Sequence, residues 1–193
     1  MTHERYLVPR FSFSDREPLR TALFECLDEL AELGFEFIES AHHESDTNRL
    51  TRFSDEPETS HIELWEDYLA QVRYLRIEAP NASVLSELVE ATSRVMPIES
   101  LDALLASMRT SPDAATIYRI GYSAPGEPSA ETVQAVVTAL QSGDVDLATA
   151  AAEVAGIIGW PTFSAPLRVL EAETEPGRLR QAVRQALEVL SRQ

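Results

Sequence analysis

LDALLASMRT (Leu101–Thr110) written above VQAVVTALQS (Val133–Ser142) aligns without a gap at an offset of thirty-two residues. Leu101, Leu104, Leu105 and Met108 fall on Val133, Val136, Val137 and Leu140. Further on, DLATAAAEVAGII (Asp146–Ile158) falls on RLRQAVRQALEVL (Arg178–Leu190) at the same offset. A period in the low thirties carried by two helical patterns predicts stacked helical pairs, because one pair cannot bury its apolar face alone. Three pairs follow: residues 98–109 with 113–122, 129–141 with 145–158, and 162–171 with 178–191. Ser111–Pro112, the Ala124–Pro128 stretch, Ser142–Gly143–Asp144, Gly159–Trp160–Pro161 and Glu175–Pro176–Gly177 punctuate them as turns. Alanines from Ala148 to Ala155, followed by Gly156, crowd the second helix of the middle pair and let neighbouring helices come close.

This repeated half resembles the HEAT repeats (armadillo-like helical repeats), in which an Asp-flanked turn leads into a helix of the type DLATAAAEVAGIIG. The resemblance covers residues 143–190 and extends more weakly back to Ile98. It implies a protein-binding scaffold and names no ligand. Some members of this broad group bind DNA through a basic groove, but from Leu101 onward this chain offers seven arginines against eleven acids.

The first eighty residues read differently. YLVPRFSF (Tyr6–Phe13) is extended in character, with Pro9 marking an edge strand. Ser14 or Asp15 offers an N-cap, and Leu19, Leu23, Cys26, Leu27, Leu30 and Leu33 recur at helical spacing until Gly34. FEFIES (Phe35–Ser40) alternates as a second strand. Residues 41–60 lack an apolar period and read as a long polar loop. For residues 61–79 a hairpin turning near Asp67 competes with a short helix over 61–69; clean alternation in the second arm favours the hairpin. The expected architecture is thus α+β: a small strand–helix–strand–hairpin domain over residues 1–80, then a short HEAT-like α-solenoid over 81–193.

Charge narrows the partners. Thirty-two acids face sixteen bases, giving a net charge of −16, and every base is an arginine. Such a chain repels phosphate backbones and anionic membranes, so neither nucleic acid nor membrane is an expected partner. A basic protein is the electrostatic complement. Without lysine there is no Schiff-base chemistry and no Walker loop. No G-x-S-x-G elbow occurs, and Cys26 lies on the apolar stripe of its helix. The single cysteine suits a reducing cytosol, and the charged N-terminus lacks the apolar run of a signal peptide. We therefore expect a cytoplasmic protein with no cofactor.

Two clusters are candidate sites. The acidic run Asp55, Glu56, Glu58, Glu63, Glu66 and Asp67 surrounds Trp65 and Tyr68, and aromatics within charge make binding hot spots. Residues 1–100 hold twenty-one acids and nine arginines, so the acidity concentrates there. His42, His43 and His61, with carboxylates nearby, have the ligand types for zinc or another divalent metal, although no metal spacing motif is present. The expected function is a non-enzymatic protein-binding module, in its most concrete form an acidic inhibitor or immunity-type protein that neutralises a basic partner. The alternatives are a metal-binding protein or enzyme using the His42/His43/His61 loop, and a small-molecule or chromophore pocket between sheet and solenoid.

Overall fold

A computed structural model of the chain describes residues 2–124 and 126–192; Pro125, within one predicted turn, lies outside them. The chain divides into two compact units, residues 1–99 and 100–193. The first holds five strands, β1 (His3–Leu7), β2 (Phe37–Glu44), β3 (Asn48–Asp55), β4 (His61–Asp67) and β5 (Val72–Ala79), with helices α1 (Arg16–Glu32) and α2 (Ala82–Val95). Its antiparallel sheet has the order β1-β5-β4-β3-β2.

Helix α1 begins after Asp15 and ends at Gly34, whose φ of +89° is the left-handed conformation a glycine tolerates best. Leu19, Leu23, Cys26 and Leu30 face Phe53, Ile62, Leu64, Leu75 and Ile77 across one side of the sheet, and Leu88 and Ala91 of α2 with Met96 just after it complete that core. Cys26 is fully buried, 3.5 Å from Thr92 Oγ1, and burial pushes its thiol pKa up, so it is packing rather than nucleophile. Because α2 buries its stripe here, the first unit extends to Glu99 instead of stopping at residue 80. Pro9 bridges Ile98, Arg10 N–H donates to Pro97 O, and Glu99 N–H donates to Val8 O, tying both ends of the unit together.

The polar stretch 41–60 is not a loop. It forms the β2–β3 hairpin, with Ser45 accepting from the Asn48 N–H in the turn and a bulge between Glu39 and Ala41. β2 is an edge strand exposed along most of its length, so burial imposes no apolar alternation on its residues. The preferred hairpin over residues 61–79 is present, as β4 and β5.

The second unit contains α3 (Leu101–Thr110), α4 (Ala114–Ser123), α5 (Ala130–Leu140), α6 (Val145–Ile158), α7 (Ser164–Glu173) and α8 (Arg178–Leu190). Ser100, Asp113, Ser129 and Asp144 cap α3 to α6 through their side chains, accepting N–H bonds from Ala103, Thr116, Thr132 and Leu147. α4 packs on α6 and α6 on α8, while α3 contacts α5 and α5 contacts α7. Trp160 is a buried turn residue, stacked on Phe163 at 5.9 Å with its N–H donated to Gly126 O. Close approach is built from small residues: a Cβ on Gly156 would lie 3.3 Å from Ala186 Cα, and one on Gly121 would lie 3.0 Å from Val154 Cγ1.

At Gly156 alanine gains helix propensity of about 1 kcal/mol, which offsets a slight crowding. Leucine cannot be accommodated against backbone. We expect Gly156→Leu to lower stability by about 1–3 kcal/mol and Gly156→Ala to stay within about 1 kcal/mol of the parent, both read from urea midpoints. Equal midpoints for parent and Gly156→Leu would contradict this packing.

Candidate binding face of the sheet

Side chains of a strand alternate between faces. With α1 and α2 covering one face, the register assigns Glu4 and Tyr6 of β1, Tyr74, Arg76 and Glu78 of β5, Glu63 and Trp65 of β4, and Leu50 and Arg52 of β3 to the other. At its centre Glu63 is fully buried although neither α1 nor α2 lies on this face. Its Oε1 accepts from Arg52 Nε at 2.7 Å, and its Oε2 accepts from Trp65 Nε1 at 2.8 Å and from Arg76 Nη1 at 3.4 Å. Burial opposes the charge on Glu63. The bonds from Trp65 and Arg52 and the charges of Arg52 and Arg76 prevail, so its pKa lies below the usual glutamate value. Arg76 also donates to Glu4 Oε2 at 2.8 Å.

An aromatic row runs beside this clamp. Trp65 stacks on its cross-strand partner Tyr74, with centroids 6.1 Å apart and planes inclined by 10°, and Tyr6 lies 5.9 Å from Tyr74 on the far side. All three are half-buried, and Leu50 pairs across from Trp65. The face therefore carries Trp, Tyr and Arg side chains held in place by cross-strand stacking and a charged clamp.

The acidic run does not form one patch. Glu63 and Glu66 are internal, and Glu66 lies on the helix-covered side, where Arg73 Nε donates to it at 2.8 Å. Asp55 closes the β3–β4 turn by accepting from Thr59 N–H at 2.7 Å and Ser60 N–H at 3.0 Å. Slight burial works against Asp55, but these bonds prevail and lower its pKa. Asp67 does the same work for Leu69 and Ala70 at the β4–β5 turn. Glu56 and Glu58 are exposed at the Asp55 end. Tyr68 sits at the opposite end of β4, donating to Glu44 Oε1 at 3.0 Å. Of the eight expected residues, Glu63 and Trp65 meet at the centre of the open face and the others flank or leave it. Tyr6, Leu50, Arg52, Tyr74 and Arg76 were not among them; alternation in NRLTRFSD and VRYLRIEA is the signal that sets Arg and Tyr on one side.

The three histidines are not brought together. His42 and His43 are consecutive in β2 and point to opposite faces. His43 and His61 share a face, but their β3 partners, Leu50 and Ser54, are four residues apart, ~13 Å along the strand. Among the described residues no three His, Cys, Asp or Glu side chains are grouped to hold a metal ion. His61 Nδ1 lies 2.9 Å from Ser54 Oγ, and no carboxylate bonds to its other nitrogen among the described residues, so the pair lacks the third member of a nucleophilic triad.

No family model, curated protein or solved structure matches this chain.

Because Glu63 has a lowered folded-state pKa, its contribution is fully present above the unfolded value of about 4.3 and is lost as pH falls through the lower folded value. We expect Glu63→Gln to cost about 1–3 kcal/mol at pH 7 and to flatten the loss of stability between about pH 5 and pH 3. Chemical denaturation across that range checks it. Identical acid limbs in parent and variant would contradict the clamp.

Proposed function

We propose that this chain is a non-enzymatic protein-binding module that receives a basic protein on the open face of its N-terminal sheet, as an acidic inhibitor or immunity-type protein does. The observation that carries this reading is the row Tyr6–Tyr74–Trp65 set against the Arg52–Glu63–Arg76 clamp. Tyr, Trp and Arg dominate binding hot spots because they supply large contact area with few rotamers to freeze. The surrounding charge fits the partner's sign, since residues 1–100 carry twenty-one acids and nine arginines. Glu56 and Glu58 are exposed and available to steer a cationic surface toward the aromatics.

The helical unit fits the same reading as a short HEAT-like solenoid of three pairs, α3–α4, α5–α6 and α7–α8. The thirty-two-residue offset and the alternate-rank packing of α4 on α6 on α8 support it. A cytoplasmic setting belongs to the proposal too, with a lone buried thiol in its favour. Among the described residues no helix is long and apolar enough to cross a membrane.

The test is capture from the native host at low salt, followed by binding measurements on the purified basic partner. Trp65→Ala and Tyr74→Ala are each expected to weaken affinity by about 30-fold or more, the hot-spot range. Glu56→Arg with Glu58→Arg is expected to slow association and reduce its salt dependence while leaving dissociation near the parent rate. Affinity unchanged in both aromatic variants would remove the open face from the interface.

A further inference from the structure

A second feature of the first unit lies on the helix-covered side of its sheet and does not rest on the binding reading of the open face. α1 packs its apolar stripe on the inner face of the sheet. A groove of about 500 Å³ remains between α1 and the inner face of β2 and β3. Arg16 and Arg20 line it from α1, Arg49 and Thr51 from β3, His42 from β2, with Glu66 at its base.

The charges there do not balance by hydrogen bonding. Arg73, with only 2% of its side chain exposed, already donates from Nε to Glu66 Oε1 at 2.8 Å. Arg49 Nε stands 3.7 Å from Oε2, and Arg16 Nε stands 4.0 Å from Oε1, both beyond hydrogen-bond reach. Arg49 Nε is shielded from solvent and has no hydrogen-bond partner, and Arg73 Nη2 is in the same condition. Glu17 and Glu39 also line the groove, yet among the described residues neither pairs with an arginine. One carboxylate thus faces three guanidiniums, each with a fixed fork of donors. Buried donors of this kind are rare unless a further acceptor completes them. Beside them the wall is apolar: Leu23, Phe24 and Phe53 line the same groove, and Phe24 is 45% exposed.

We propose that this groove binds a small organic oxyanion, a carboxylate or phosphate head carried on an apolar stem. The head pairs with the guanidiniums of Arg49 and Arg16, and the stem lies along Leu23, Phe24 and Phe53. The volume lies within the range of small-molecule sites, and a few convergent polar groups on an apolar wall are their usual composition.

The experiment follows the arginine Nε–H resonances of the full chain by NMR during titration with inorganic phosphate, phenyl phosphate and octanoate. Sodium chloride holds ionic strength constant, because a chain of net charge −16 responds to any added salt. We expect a saturable shift of the Arg49 resonance, with an organic probe binding at least tenfold tighter than inorganic phosphate. Preference for phenyl phosphate or for octanoate identifies the head group. Arg49→Lys keeps the charge but removes the guanidinium fork, and is expected to weaken binding about tenfold or more. Arg94→Lys, on the exposed side of α2, is expected to leave it unchanged. Absence of a saturable shift with all three probes overturns the proposal, as does equal binding by parent and Arg49→Lys.

Discussion

The geometry of the open sheet face depends on one buried carboxylate. Glu63 sits at the middle of the central strand, on the face opposite α1 and α2, yet it is fully shielded. Shielding comes from Arg52, Arg76 and the Trp65 indole folding over it, each donating a hydrogen bond. A carboxylate so placed is costly unless all its acceptor sites are used. Here neighbours on β3, β4 and β5 use them, which fixes three side chains at once. The indole N–H is committed to Glu63, so the ring lies flat against Tyr74, and Tyr74 in turn meets Tyr6. Charge and stacking together turn a half-solvated sheet into an ordered surface, and order in the free state reduces the entropy lost on binding.

The two units distribute their chemistry unevenly. The first carries most of the net negative charge, with Arg52 and Arg76 paired to Glu63 on one face and Arg73 paired to Glu66 on the other. The second unit has little net charge and is built on alanine and glycine contacts between α4, α6 and α8. Charge and partly exposed aromatics are concentrated on the sheet, while the helices present regularly spaced packing surfaces.

Helical elements were legible in the sequence for a physical reason. Their apolar stripes face a core, and Ser100, Asp113, Ser129 and Asp144 mark their starts by capping. The β2–β3 hairpin was not legible, because an edge strand exposed on both faces has no burial to write a period into its residues. α2 was readable as a helix, but its place beside the sheet depends on what its stripe meets, which periodicity does not encode. In the candidate site, Trp65 and its acidic neighbours stood out by composition. Their roles did not: Glu63 and Glu66 looked like surface charge until the register opposed each to arginines on adjacent strands. Local sequence also grouped His42, His43 and His61, which strand alternation then separates.

The most direct measurement is hydroxyl-radical footprinting of the chain alone and in complex with the proposed basic partner isolated by low-salt capture. Binding on the open face predicts protection of Trp65, Tyr74 and Tyr6 in the complex, with Phe24 on the opposite side of the sheet unchanged. Protection confined to the helical unit, or unchanged oxidation of all three aromatics, would contradict the account.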